Sequence, residues 1–175
     1  HNDLEYNKFL IPGIKINLLD LWEEEKNNYT AIDINSLEKK YKTNLWNIVY
    51  GDRFLKHKSN DEIKKQILFY FFAWDKLIKE YNPIGVFDEP VTGLWNYSLY
   101  VVCKKNEIPY YGIFNTRITN KFYFSNDIFG SFGELNEKYQ QAKLERLNET
   151  KKKEVRLYID NFKINKLIPE YAVKN

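Results

Sequence analysis

A chain of 175 residues has room for one full hydrophobic core, and 43% hydrophobic with 17% aromatic residues is enough apolar material to offset the entropy of ordering, which excludes a disordered polymer. Its 27 basic and 24 acidic residues are interspersed and leave a net charge of +3, so no uniform field of the kind that captures nucleic acid or anionic lipid is expected. The single cysteine, Cys103, excludes an internal disulfide, and no signal peptide or apolar run of about 20 residues is visible, so the expected setting is reducing and cytoplasmic.

Residues 1–28 read as a loosely attached amino-terminal arm. Within it, Ile14-Lys15-Ile16-Asn17-Leu18 alternates like a strand, and the piece from Leu18 to Glu25 has the pattern of a short helix. The chain opens on His1 and contains no methionine, which reads as a piece of something longer. Residues 29–175 are expected to form one α/β domain with a parallel sheet. Tyr29 to Ile34 reads as a strand, and Asn35 with Glu38 three residues on resembles a helix cap with its reciprocal acid, predicting a helix from Ser36 to about Lys42. A short helical or irregular piece then carries Leu45, Trp46, Ile48 and Val49 into Gly51-Asp52-Arg53-Phe54-Leu55.

The clearest helix signal follows. Ser59-x-x-Glu62 is a capping-box pattern, and Ile63, Ile67, Phe71, Trp74 and Ile78 keep helical spacing, widened by Leu68, Phe72 and Leu77 into a helix covered on two sides. Asn82-Pro83 ends it. Ile84-Gly85-Val86-Phe87 is apolar without alternation, as in a strand buried on both faces of a parallel sheet. Val91, Leu94, Trp95, Leu99 and Val102 then mark a second helix with Lys104 and Lys105 in its last turn, and Pro109 to Phe114 supplies the next strand. This strand, helix, strand unit predicts a parallel sheet flanked by helices. Lys121 to Phe124 adds a short strand or an aromatic loop. Ser131-x-x-Glu134 opens a helix through Leu135, Tyr139, Ala142 and Leu147, and Val155, Ile159 and Phe162 mark a last one; the run Lys151-Lys152-Lys153 reads as its solvated face.

Ligands of open α/β sheets bind at the carboxyl ends of the strands, where loops and helix amino termini converge with unpaired donors. Asp88, Glu89, Asn115, Thr116 and Arg117 fall at such ends. The acids suit a general base or a sugar-hydroxyl acceptor, and Arg117 a fork for phosphate or carboxylate; equally, Glu89 caps a helix and Arg117 pairs with a nearby acid. Gly93 admits the close approach of a ligand or of packed neighbours. In the run from Arg117 to Phe124 the cations, amides and rings suit stacking on a sugar or base, but the alternation favours Phe122 and Phe124 as core anchors and leaves Tyr123 open. Asp52 and Arg53 are placed either to reach such a site or to form a local ion pair, and the ion pair is the preferred reading. No metal site, no Cys-His or serine nucleophile and no Gly-rich phosphate loop is legible: His57 reads as a surface residue, Cys103 as buried packing, and Ser98 lies within a helix.

Tyr41 to Asn47, Gly51 to Leu55, Phe87-Asp88-Glu89-Pro90-Val91-Thr92-Gly93 and Thr116 to Phe124 together resemble bacterial capsule and surface-polysaccharide biosynthesis proteins, over roughly residues 36–140. That resemblance implies one half, the amino-terminal one, of a GT-B-like glycosyltransferase with two Rossmann-like domains around a cleft. It implies that Asp88 or Glu89 is the base that activates an acceptor hydroxyl, and that Arg117 steadies the acceptor or the leaving diphosphate; Gly93, Asn115, Thr116 and Tyr123 are the further substrate contacts expected from their positions in the chain. The acceptor would be a glycan or lipid-linked glycan, with no resident cofactor and no nucleic acid partner. The nucleotide-sugar donor would be bound by a second domain, and the complete protein would sit at the inner face of the membrane. The other function the residues allow is a non-catalytic carbohydrate-binding or assembly domain.

Overall fold

A computed structural model describes residues 13, 16–25, 33–116, 121–126, 133–145 and 147–165. Of the expected strand in the arm, residues 14 and 15 lie outside these residues, Ile16 and Asn17 are not in a strand, and Leu18 opens the short helix α1 (Leu18–Glu25), which contributes Leu21 to the core against the longest helix. Of the strand expected from Tyr29 to Ile34, only the end is described, and Ile34 opens helix α2 (Ile34–Tyr41) instead. Ile34, Leu37 and Tyr41, spaced along one helical face, are all buried, and their burial sets the helix boundary. Asp33 holds the N-cap position, so Asn35 lies inside the helix. Glu38 is used elsewhere: its carboxylate accepts from Leu45 N at 2.7 Å, joining α2 to helix α3 (Leu45–Gly51).

Helix α4 (Asn60–Tyr81) begins as expected, with the Ser59 hydroxyl accepting from Glu62 N and the Glu62 carboxylate accepting from Ser59 N. It ends at Asn82, whose left-handed backbone (φ 40°) turns the chain into Pro83. Ile67, Phe71 and Ala73 are fully buried, and helix α5 (Leu94–Lys105) is the main neighbour of α4. Asp75 on α4 accepts from Lys79 at 2.7 Å and from Lys40 of α2 at 3.2 Å. Burial pushes the Asp75 carboxyl up, but these cations outweigh it and hold its pKa below the ordinary value.

Strand β1 (Val86–Asp88) pairs in parallel with β2 (Tyr110–Asn115), and α5 connects them, so the expected strand, helix, strand unit forms. Strand β3 (Phe122–Ser125) then pairs antiparallel with β2, in the order β1-β2-β3. Among the described residues the fold is mixed α/β, with a three-stranded mixed sheet where a parallel one was expected. The reason is loop length: the connection from Thr116 to Lys121 is far shorter than the dozen or so residues a parallel crossover needs.

The sheet also corrects the reading of β1 as a strand buried on both faces. Ile84 is 99% exposed and Phe87 61% exposed. The register places Val86, Asp88, Tyr110, Gly112, Phe114, Tyr123 and Ser125 on the face toward α5, and Phe87, Tyr111, Ile113, Phe122 and Phe124 on the other. On that outer face, Phe87 stacks on Tyr111 at 5.2 Å and meets Phe124 edge-on at 5.4 Å, and Phe122 and Phe124 meet edge-on at 5.4 Å. Phe122 and Phe124 therefore share a face, as their alternation requires, but it is the exposed one, and Tyr123 between them points inward against Phe114.

Helix α6 (Gly133–Leu144) ends short of the expected Leu147, and its expected cap Ser131 lies outside the described residues; helix α7 (Glu149–Asn165) carries Val155, Ile159 and Phe162 as expected. Their described side chains, including Leu135, Tyr139, Val155, Ile159 and Phe162, are exposed. Lys152 pairs with Glu149 at 2.7 Å on the solvated face. Among the described residues no helix is long and apolar enough to cross a membrane.

Candidate functional site

The carboxyl end of β1 delivers Asp88 to the inner side of the sheet. Its Oδ1 accepts from Glu89 N at 2.8 Å, and its Oδ2 accepts from the Tyr110 hydroxyl at 3.3 Å. The same hydroxyl lies 3.2 Å from the Glu89 carbonyl. Burial pushes the Asp88 carboxyl above the ordinary aspartate value; the two hydrogen bonds pull the other way without cancelling it, and the charge of Glu89 adds to the rise. Tyr110, buried and facing that charge, is held firmly protonated. Cys103 of α5 is fully buried, as expected, and burial together with the Asp88 charge pushes its thiol up to about 12, so it is inert. A half-buried carboxylate of raised basicity at a strand end has the character of a proton acceptor.

The loop after Asp88 is rigidly tied. Asn96, fully buried in the first turn of α5, accepts from Thr92 N at 3.1 Å and Gly93 N at 3.0 Å, while its Nδ2 donates to the Pro90 carbonyl at 2.9 Å. Pro90 lies over the sheet: a Cβ at Gly112 would stand 3.7 Å from its Cα. Glu89 is exposed and leaves its carboxylate outside this lattice of bonds.

Asp52 is not half of a local ion pair. It is 3% exposed, and its Oδ1 accepts from Phe54 N at 2.7 Å and Leu55 N at 3.3 Å. Its Oδ2 accepts from Leu94 N at 2.8 Å, across 42 residues of sequence. Asp52 thus turns its own loop and caps α5, where the positive end of the helix dipole favours the ionised carboxylate. Arg53 instead lays its guanidinium 4.9 Å from the Phe54 ring centroid. The bare face of Gly93 is occupied by these neighbours: a Cβ there would meet Asp52 Oδ2 at 3.1 Å and the Trp95 ring at 3.3 Å. Because φ at Gly93 is an extended −161°, the obstacle is contact and not backbone strain. Gly93→Ala is expected to destabilise by about 1–2 kcal/mol, read as a lowered urea midpoint with unchanged m-value; an unchanged midpoint would show that Asp52 yields freely.

The other strand-end residues do not converge on Asp88. Asn115 lies three residues beyond Gly112, the partner of Asp88, which is about 10 Å along the strand, and on the opposite face. Thr116 closes the β2–β3 hairpin, its Oγ1 donating to the Lys121 carbonyl at 2.8 Å. Tyr123 sits on the inner face beside Phe114. Arg117 lies outside the described residues. His57 is exposed, and Ser98 is buried with its hydroxyl spent on the Leu94 and Trp95 carbonyls. No group of three or more His, Cys, Asp and Glu side chains placed to hold a metal occurs among the described residues.

The residues missing from the sequence reading are Asn96, Tyr110 and the cap made by Asp52. Asn96 stands three residues into its helix from Gly93, the reciprocal position of a capping box, which is the one local signal that marks it. The long-range partners of Asp52 and Tyr110 leave no local signal. Compared with known proteins, the chain matches no family model, no curated protein and no solved structure.

Proposed function

We propose that this chain is the acceptor-side domain of a glycosyltransferase-like protein in bacterial capsule or surface-polysaccharide biosynthesis. It would be one Rossmann-like half of a GT-B-like pair, working at the inner face of the membrane with a donor-binding second domain. The observation that carries the reading is Asp88: a strand-end carboxylate whose basicity is raised by burial and whose rotamer is fixed by Tyr110 and Glu89 N. In that role it takes the proton from an acceptor hydroxyl as that oxygen attacks the anomeric carbon of the donor, whose bond to the leaving nucleotide phosphate breaks. Glu89, exposed beside it, is placed to accept from a neighbouring sugar hydroxyl. Two segments that carry the family resemblance, Gly51 to Leu55 and Phe87 to Gly93, are drawn together by the cap from Asp52 to Leu94 at the end of the second segment.

A second reading, a non-catalytic carbohydrate-binding domain, is favoured by one feature, the exposed rings of Phe87 and Phe122 on the outer sheet face. Calorimetric titration of this chain separates the two. The acceptor-side reading expects binding of capsule-type oligosaccharides, no binding of nucleotide-sugars, and loss of affinity on Glu89→Gln. Oligosaccharide binding that survives Glu89→Gln and is lost on Phe87→Ala would favour the second reading, and tight nucleotide-sugar binding would overturn the first.

A further inference from the structure

A cavity of about 230 Å³ opens beside the first turn of α5, bounded by Asp52, Phe54, Gln66, Tyr70, Leu94 and Trp95. Four features of its wall define what fits. Phe54 and Trp95 form an aromatic corner, ring centroids 6.4 Å apart and planes inclined at 39°, and Phe54 is 56% exposed, so an apolar ring face can reach them from solvent. The polar ends of Gln66 and Tyr70 make no hydrogen bond to another described residue, which leaves an amide that both donates and accepts and a hydroxyl that does the same. Burial, with the charge of Asp52, holds Tyr70 protonated. Asp52 itself is occupied by three backbone N–H groups and presents negative charge, which disfavours an anion.

The volume lies below the roughly 300 Å³ at which pockets for drug-sized ligands begin, so the occupant is one small ring and not an extended chain. A ligand with an apolar face for Trp95 and Phe54, several hydroxyls for Gln66 and Tyr70, and no negative charge is an uncharged pyranose. A nucleobase presents two flat faces where the inclined rings offer a corner, and a sugar phosphate or uronate meets Asp52.

We propose that this cavity binds a single uncharged pyranose residue, with Trp95 and Phe54 against its C–H face and Gln66 and Tyr70 on its hydroxyls. The proposal rests on the reading of the chain as an acceptor-side domain and gives that reading a specificity pocket, joined to Asp88 by the loop that Asn96 ties down. The residues assigned to the ring are distinct from Asp88 and Glu89, so binding and proton removal are separately testable.

The test is saturation-transfer NMR on this chain with methyl β-D-glucopyranoside, methyl α-D-galactopyranoside, methyl α-D-mannopyranoside and N-acetylglucosamine, and with glucuronate as the charged comparison. At least one of the four neutral sugars is expected to receive saturation and glucuronate none. Tyr70→Phe and Gln66→Leu, which remove polar groups without a hydrogen-bond partner among the described residues, are each expected to weaken that binding about fivefold, with melting temperatures confirming folded variants. Absence of transfer to all four sugars overturns the proposal. So does binding that ignores Tyr70→Phe and Gln66→Leu, and binding lost on Phe87→Ala and Phe122→Ala would place the sugar on the outer sheet face instead. Failure of the acceptor-side reading looks different: pyranose binding sensitive to Tyr70→Phe, with oligosaccharide affinity indifferent to Glu89→Gln.

Discussion

Replacing Asp52 with alanine is expected to destabilise the chain by about 3 kcal/mol, because the change strands three backbone donors, two of them buried, at about 1–3 kcal/mol for each unsatisfied group, with partial relief from water entering the adjoining cavity. For a chain of this length each kcal/mol moves the melting temperature by about 2–4 °C, so the midpoint should fall by roughly 10 °C. Asp52→Asn should cost about half as much, since one oxygen keeps its N–H partners while the amide nitrogen is left facing a donor. The contact between Asp52 Oδ2 and the bare face of Gly93, 3.1 Å from where a Cβ would stand, makes the two sites non-additive. In an Asp52→Ala background, Gly93→Ala should cost less than it does alone, because the nearer of its two obstacles is gone and only the Trp95 ring at 3.3 Å remains. Thermal melts of the two single variants and the double variant measure this coupling. Additive losses would mean that the Trp95 ring, and not Asp52 Oδ2, is what crowds a side chain at position 93.

How much of this was legible in the sequence depends on how local each signal is. Helix α4 announces itself because its cap, Ser59 with Glu62, and its apolar stripe lie within one continuous stretch, and its end needs only Asn82 and Pro83. The pairing of β1 with β2 through α5 was legible for the same reason: two apolar runs separated by a helix of crossover length leave few alternatives. The class of the sheet beyond that unit was not. Whether β3 extends a parallel sheet or folds back as a hairpin depends on the connection from Thr116 to Lys121, and the aromatic run from Phe122 to Phe124 looks equally suited to either outcome. Alternation assigns Phe122 and Phe124 to one face but cannot say which face meets α5; that is decided by the register with β2, where Tyr123 opposes Phe114. The candidate site divides in the same way. Asp88 at a strand end follows from position alone, whereas Tyr110 as its hydrogen-bond partner depends on the parallel register, and Asp52 reaches Leu94 only after α3, α4 and α5 have packed. Asn115 and Thr116 were grouped with Asp88 by the rule for strand ends, which holds for strands followed by helices and fails for a strand that enters a hairpin.

Asp88→Asn carries the other large expected effect, and it acts on activity and stability in opposite directions. When the domain is joined to its donor-binding partner, loss of the base is expected to lower kcat about 10²–10⁴-fold with little change in acceptor KM, since the amide keeps the shape: its oxygen still accepts from Glu89 N, and its nitrogen donates to the Tyr110 hydroxyl, whose own proton turns to the Glu89 carbonyl 3.2 Å away. The stability effect needs no partner and is read on this chain alone. Burial raises the Asp88 pKa above the ordinary 3.8, so between that value and the folded one the folded chain holds a proton that the unfolded chain has lost. Its contribution to stability is therefore fully present below about pH 3.8, declines as pH rises through the folded pKa, and stays at its lowest at neutral pH. Asparagine has no such dependence. The variant should melt higher than the original chain at neutral pH, and the advantage should shrink steadily as the pH falls toward that of ordinary aspartate titration. A variant that melts lower at neutral pH would mean that the ionised carboxylate is held by stronger hydrogen bonds than Tyr110 and Glu89 N supply, and a carboxylate stabilised in that way would be a poor base. The sign of one melting difference at neutral pH thus tests, without any substrate, whether Asp88 has the basicity that its role in transfer requires.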